Sequence, residues 1–250
     1  MQGYRHSKFL RINSADRSAN SNSRYNIRLN TNDNDLSQVK RVELKSAVIP
    51  NTYYNINSFN NTFEFVNATN SPTTTYTVPV GQYTITTLIA ELESQVTGLT
   101  ITQSALTQKL TFTMAAGTYT LDSDVTVNTI ARALGILTTQ SGVSGATTVT
   151  GHPDLTGLTN IYISSDKLAS GGNSMVGVDE SYKPVFCTIP IDVDYGINQV
   201  HEEFSSDTMD YVQFSAHRSI ANVDIQLLDS DLNEVDLNGV DWEVILRVYM

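Results

Sequence analysis

The acidic stretch near the end of the chain comes closest to the residue pattern of a metal site. Asp229–Asn233 reads like the start of an EF-hand calcium loop. The match then fails, because Glu234 stands where that loop requires glycine and Val240 stands where it requires glutamate. A calcium site of another kind stays open, with ligands drawn from Asp229, Asp231, Glu234 and Asp236. The alternative is a solvated acidic turn, and we predict neither a metal nor a cofactor.

Side chains that could catalyse a reaction are present without the spacing of a known motif. The histidines are scattered at His6, His152, His201 and His217. There is no GxSxG, no P-loop, no HExxH and no dinucleotide fingerprint. The single cysteine, Cys187, lies in the apolar run VFCTIP and is interpreted as a small core residue. We predict that the protein is not an enzyme; a hydrolase on a β-sandwich has no motif to support it.

Charge is unevenly distributed along a chain whose net charge is −11. Most charged groups in the first 28 residues are basic, whereas the remainder is strongly acidic. An acidic body repels phosphates, which disfavours nucleic-acid binding. We expect residues 1–23, rich in Ser, Asn and Arg, to form an extended basic arm, which is either solvated and flexible or in contact with nucleic acid or an acidic neighbouring protein. The candidate interface residues of this arm are Arg5, Lys8, Phe9, Arg11, Arg17 and Arg24.

Targeting and membrane signals are missing from the sequence. No apolar run approaches the roughly 20 residues that a membrane-spanning helix needs. The first residues include basic side chains but no apolar region of a secretory signal. We therefore expect no membrane insertion, and a protein that is cytosolic or part of a particle assembled there.

The last thirty residues carry the clearest structural pattern. Apolar and polar residues alternate over Ser219–Asp229 and again over Val240–Tyr249, which predicts two strands with one buried face each. Trp242 falls on the inward face of the second. The connection closes on Asn238-Gly239, a dipeptide suited to turns with positive φ. We expect the final strand to be locked into a sheet.

Short segments of strand pattern recur along the chain, separated by turn residues. They predict an all-β, antiparallel sandwich rather than a βαβ fold. The predicted strands are Arg24–Asn30, Val39–Ile49, Thr62–Val66, Asn160–Ser164, Pro184–Ile191 and Tyr211–Ala216.

Residues 80–137 have a different pattern and are predicted to be a small α/β insertion. Apolar residues from Ile85 to Val96 recur at helical spacing, with Thr84 as the N-cap and Gly98 as the stop. Short strands are predicted next, at 99–102, 109–114 and 118–121, and then a second helix at Val127–Leu134. The predicted organisation is therefore an arm at 1–23, a sandwich at 24–79 and 138–250, and a helix–hairpin–helix insertion at 80–137.

Two distant segments together resemble a known family of viral proteins. The opening INSADRSANSNSRYNIRLN and VKRVELKSAVIPNTYYNIN, and the closing SIANVDIQLLDSDLNEVDLNGVDWEVILRVY, resemble the penton, or minor capsid, proteins of virophages, polinton-like viruses and related large DNA viruses. The block GQYTITTLIAELESQV, with KLTFTM and ARALGI after it, is similar to a module inserted in some of them.

The resemblance implies a fold, partners and a location. It implies a single jelly roll that forms homopentamers at the five-fold vertices of an icosahedral capsid. Double jelly-roll major capsid proteins, and other minor capsid proteins, would surround it in a virion assembled in the host cytoplasm. It implies no catalytic residues. On this hypothesis, deletion of residues 1–23 leaves a folded jelly roll that attaches less strongly to the shell.

A second hypothesis is a jelly-roll attachment or glycan-binding module. Jelly rolls serve in capsids and in lectins, so fold alone does not separate the two functions. Lectin sites often place an aromatic ring over the sugar, and the inward position predicted for Trp242 counts against such a site.

Overall fold

The computed structural model describes residues 6–19, 21, 23–30, 36, 38–67, 74–122, 129–168, 173–176, 182–202 and 211–250. In these residues the chain forms fifteen β-strands, one α-helix and a short 3-10 helix at Ser14–Asp16. In chain order the main elements are β1 (Ser7–Asn13), β2 (Asn26–Asn30), β3 (Val39–Pro50), β4 (Thr62–Asn67), β5 (Thr74–Thr77), α1 (Ile85–Gln95), β6 (Leu99–Gln103), β7 (Leu110–Leu121), β8 (Gln140–Thr148), β9 (Asn160–Ser164), β10 (Asn173–Val176), β11 (Tyr182–Pro190), β12 (Asn198–Glu202), β13 (Tyr211–Arg218), β14 (Asn222–Leu228) and β15 (Glu243–Tyr249).

The chain divides into two compact units. The sandwich unit comprises Met1–Tyr53 and Leu158–Met250, and the inserted unit comprises Tyr54–Gly157. The sandwich is thus interrupted once, between β3 and β9. The inserted unit is wider than the predicted insertion at 80–137. It includes β4 and β5, which the sequence analysis had assigned to the sandwich.

The sandwich unit has the strand order of a jelly roll. Its first sheet runs β1-β15-β3-β12, with β13 also on β3, and its second runs β10-β11-β9-β14-β2, every pair antiparallel. Without the short β10, and with β12 and β13 counted as one interrupted strand, eight strands remain. When these eight strands are counted along the chain, their order across the first sheet is first, eighth, third and sixth (β1, β15, β3 and β12/β13). Their order across the second sheet is second, seventh, fourth and fifth (β2, β14, β9 and β11). This double Greek key is the jelly-roll topology, so the predicted fold class is confirmed.

The core of the sandwich unit lies between the two sheets and follows from period-two alternation. Both C-terminal strands were predicted correctly: β15 buries every second residue, and β14 buries Val223, Ile225 and Leu227. Trp242 is 1% exposed, which confirms its inward position. Cys187 is buried in the same core. The turn residues Asn238 and Gly239 have φ values of 53° and 81°, as the dipeptide predicts.

The prediction of an extended N-terminal arm over residues 1–23 is wrong for the part of this segment that the structure describes. Residues Ser7 to Asn13 form β1 and pair in unbroken register with β15, from Ser7 opposite Tyr249 to Asn13 opposite Glu243. Ile12 is fully buried in the sandwich core. The polar composition was misleading because β1 is at the sheet edge, where alternate side chains face solvent.

The chain that follows β1 is fixed to the C-terminal hairpin by hydrogen bonds. Ser14 is fully buried; its hydroxyl donates to Asp241 Oδ1 at 2.6 Å and accepts from the Trp242 amide at 3.1 Å. The Trp242 indole N–H donates to the carbonyl of Arg24 at 3.1 Å, and the Arg24 guanidinium lies 2.9 Å from Asp241. The Tyr25 hydroxyl accepts from the Gly239 amide, and burial raises the pKa of Tyr25 to about 12.

The inserted unit has its own sheet and its own core. Its strands run β5-β4-β7-β6, with β8 also on β7, and α1 packs beside β6. The helix was predicted correctly: Thr84 and Thr87 form a reciprocal capping box, and Gly98 adopts φ +82° where the chain turns into β6. Glu93 of α1 accepts a hydrogen bond from the Ile101 amide of β6 at 2.7 Å, so the helix satisfies a backbone donor at the sheet edge.

The predicted second helix at Val127–Leu134 is not found. Residues 131–135 form a turn, whereas 123–128 lie outside the described residues. The Thr129 hydroxyl accepts from the Ala131 amide and starts the turn, and Gly135, at φ +75°, ends it. Only one helical turn fits between these residues. The apolar side chains are nevertheless buried, because Ile130, Ala131 and Leu134 pack into the core of the inserted unit.

The segments at 109–114 and 118–121 are not separate strands but one strand, β7, with an irregularity between Thr113 and Thr118.

The integration of β1 predicts losses of stability of very different size for two of its residues. Ile12→Ala should lower the free energy of unfolding by about 2–5 kcal/mol, because it leaves a cavity in the core. Phe9→Ala, on the solvent-facing side of the same strand, should cost less than about 1 kcal/mol. Urea denaturation followed by tryptophan fluorescence measures both. Equal, small losses would show that β1 is not part of the folded core.

Candidate assembly surface

The outer face of the first sheet brings together residues that are far apart in the sequence. Cross-strand pairing places Phe9 of β1 opposite Arg247 of β15, Arg247 opposite Glu43 of β3, and Glu43 opposite Tyr211 of β13. Four strands thus contribute one residue each to a row across the sheet. Their positions follow from register alone, since side chains two residues apart share a face.

Aromatic rings and guanidinium groups alternate along this face. The Arg41 guanidinium carbon lies 3.8 Å from the centre of the Tyr211 ring and 5.6 Å from that of Tyr249. The Arg247 guanidinium carbon lies 4.8 Å from the Tyr249 ring centre and 5.8 Å from the Phe9 ring centre. We call these five residues the aromatic–arginine layer. Cation–π contacts of this kind stabilise each pair by about 0.5–1 kcal/mol at exposed sites.

A buried carboxylate holds the layer in place. Glu43 is 4% exposed, and its carboxylate lies 2.5 Å from the Arg41 guanidinium. The Tyr249 hydroxyl donates to the same carboxylate at 2.8 Å. Burial, followed by the hydrogen bond to Glu43, raises the pKa of Tyr249. One carboxylate therefore orients a guanidinium and a phenol that both belong to the layer.

The composition and exposure of the layer are typical of a protein-binding surface. Phe9 is 66% exposed and Tyr211 is 40% exposed. Tyr and Arg are enriched among residues that dominate binding energy, because they combine a large contact area with directional hydrogen bonds. Fixed rings and guanidiniums also lose little conformational entropy when a partner binds.

Most of the predicted arm residues contact the protein's own chain. The Arg11 side chain donates to Glu243 at 2.6 Å, which raises the pKa of Arg11 and lowers that of Glu243. Arg17 donates to the carbonyl of Ser14 at 3.1 Å, and Arg24 binds Asp241 as described above. Lys8 is half-buried on β1 and Arg5 lies outside the described residues. Of the six, only Phe9 belongs to the layer.

The remaining members of the layer were missed in the sequence. Arg41, Tyr211, Arg247 and Tyr249 come from three strands, and only cross-strand pairing brings them together. One signal was present: in the predicted strand Val240–Tyr249, alternation puts Arg247 and Tyr249 on the face opposite Trp242.

The acidic connection between β14 and β15 has a structural role for its first carboxylate. Asp229 accepts hydrogen bonds from the amides of Asp231 and Asn233, both at 2.9 Å, and from the Asn233 side chain at 3.2 Å. Burial raises the pKa of Asp229. Its oxygens are therefore occupied by donors that close the turn. Among the described residues, no group of three or more acidic, histidine or cysteine side chains is arranged to hold a metal ion.

The sandwich unit also has a pocket at its surface. A shallow pocket of about 370 Å³ is lined by Pro190, Asp192, Gln199, Val200, His201 and Glu202. Within the part of the chain that the structure describes, no helix is long and apolar enough to cross a membrane.

Comparison with known proteins identifies the family of the chain. The model of a family described as a family of unknown function, DUF5901, matches residues 10–234. The chain belongs to this family. No curated protein gives a significant match to the sequence.

Two solved structures are similar to the chain over nearly its whole length. The mavirus penton protein is 9% identical, with a TM-score of 0.45, and the match covers 98% of this chain and 100% of that one. A chain in the 3.5 Å cryo-electron microscopy structure of the Sputnik virophage is 10% identical, with a TM-score of 0.46 and 97% coverage of each chain.

The role of Glu43 gives a test of the layer's stability. Glu43→Ala should lower the free energy of unfolding by about 3–5 kcal/mol, because it removes the buried carboxylate that pairs with Arg41 and accepts from Tyr249. Tyr249→Phe, which removes one hydrogen bond, should cost about 1 kcal/mol. Glu202→Ala, on an exposed strand position of the same sheet, should be within about 0.5 kcal/mol of the unmodified protein. Chemical denaturation compares all three, and a Glu43→Ala loss no larger than that of Glu202→Ala would contradict the role.

Proposed function

We propose that this protein is a structural virion protein, a penton capsomer of which five copies close a ring at the five-fold vertex of an icosahedral capsid. The proposal is carried by the jelly-roll strand order of the sandwich unit, a recurrent fold of capsid proteins, taken together with the burial of Trp242, which counts against the glycan-binding alternative. The proposal includes contact with the major capsid protein and with other minor capsid proteins, and assembly in the host cytoplasm.

The segments that resemble penton proteins support the same function. Ile12–Asn30 and Val39–Asn57 contain the end of β1 and all of β2 and β3, and Ser219–Tyr249 contains β14 and β15. In the fold, β14 pairs with β2, and β15 pairs with both β1 and β3. The resembling segments are thus neighbours in space, and they form the part of the sandwich in which the two ends of the chain meet.

A ring of five identical chains needs two different surfaces on each chain that fit one another. The aromatic–arginine layer is suited to be one of them, because it is rigid, partly exposed and rich in residues that dominate interfaces. We propose that Phe9 and Arg11 contact a neighbouring capsid protein as part of this face. In this proposal the contact is made by the ordered strand β1 and not by an extended arm. Deletion of residues 1–23 is therefore expected to unfold or destabilise the sandwich unit.

The proposal predicts the mass of the purified protein in solution. Light scattering after size exclusion should give a species near five times the chain mass of 27.5 kDa, with the pentamer fraction rising with protein concentration. Electron microscopy of the same fraction should show five-fold rings. A closed dimer, trimer or hexamer, or a single chain at every concentration, would contradict the proposal.

A further inference from the structure

We propose that Arg247, held between the rings of Phe9 and Tyr249, binds a carboxylate on the acidic surface of a second copy of this chain. The inference rests on the proposed function, and it names the residue through which neighbouring copies recognise one another. It assigns the outer face of the first sheet to the contact between copies.

Arg247 differs from the other arginines of this face in its partners. Arg11 is paired with Glu243, and Arg41 with Glu43. For Arg247, the contacts among described residues are the two rings and a long hydrogen bond from Nε to the Ser7 hydroxyl at 3.3 Å. No carboxylate of the described residues lies within ion-pair distance of it. The Arg247 guanidinium therefore makes no ion pair within the described part of the chain.

The neighbouring rings leave the guanidinium open to a carboxylate ligand. An aromatic ring interacts with the face of a guanidinium, whereas the N–H groups lie in its plane, and the two terminal nitrogens of Arg247 stay available for a two-point contact. A carboxylate is the planar group that fits this fork, and the pair is stronger than a hydrogen bond between neutral groups. Because the rings already restrict the side chain, less conformational entropy is lost on binding.

Charge complementarity identifies the occupant as another copy. The chain has 26 acidic and 15 basic residues, so two copies repel each other over most orientations. When Arg247 of one copy lies against carboxylates of the next, this local attraction opposes the general repulsion in one orientation. Exposed carboxylates are available on the sandwich unit, for example Asp231, Asp236 and Glu202. A heterologous ring places such a surface of one copy against the layer of the next.

Three variants of the full-length chain test the inference, with association followed by light scattering over a dilution series. Arg247→Gln should raise the concentration needed for half association by at least about tenfold, as for loss of a paired charge at an interface. Arg247→Lys keeps the charge but loses the two-point contact, and it should give an intermediate shift. Arg132→Gln is the matched control: it makes the same charge change on an exposed residue of the inserted unit, and it should have no effect.

Two further readouts complete the test. Association of the unmodified protein should weaken as salt is raised, and this dependence should be smaller for Arg247→Gln. Near-ultraviolet circular dichroism should be unchanged in all three variants, which separates loss of contact from loss of fold.

The outcomes separate this inference from the proposed function. If the unmodified chain forms pentamers and Arg247→Gln forms them at the same concentration, the inference is wrong and the penton function stands. If an assembly of another order forms and depends on Arg247, the inference stands and the five-fold ring is wrong. A single chain at every concentration overturns both.

Discussion

The structure of the sandwich unit depends on the last strand, β15, which pairs with the first strand, β1, on one side and with β3 on the other. These three strands form one continuous ladder. The second sheet repeats the pattern, with β14 paired to β2. Both C-terminal strands thus pair with strands that precede the inserted unit. The cost of closing these long loops is recovered only when the two sheets bury their shared core.

The same ladder fixes the aromatic–arginine layer. A shift of one residue between β1 and β15 would turn Phe9 towards the core and Ile12 towards solvent, so the buried face holds the register. With the register fixed, Phe9, Arg247 and Glu43 line up across three strands. Glu43 then orients Arg41 and Tyr249 from beneath. A surface suited to binding is in this way a direct consequence of core packing on the opposite face of the same strands.

Local patterns in the sequence were sufficient for some elements and insufficient for others. Helix α1 and strands β14 and β15 were predictable because their periodicity, caps and turn residues lie within each segment. β1 was misinterpreted because a polar edge strand has the composition of an exposed arm, and only its pairing with β15 distinguishes the two. The prediction of a second helix at Val127–Leu134 was wrong because Gly135 ends the turn after a few residues, although the apolar spacing is helical. The aromatic–arginine layer could not be derived from local patterns, since its members are joined by register between distant strands.

Hydrogen exchange of the full-length protein tests most directly whether the N-terminal strand closes the sandwich. Amides in an antiparallel edge strand alternate between those bonded to the neighbour and those that face solvent. The account predicts that alternate amides of Ser7–Asn13 exchange slowly, together with those of Glu243–Tyr249, because they open in the same cooperative unit. Exchange at the unprotected rate throughout Ser7–Asn13, with Glu243–Tyr249 still protected, would show an arm detached from the sheet and would contradict both the fold closure and the surface built on it.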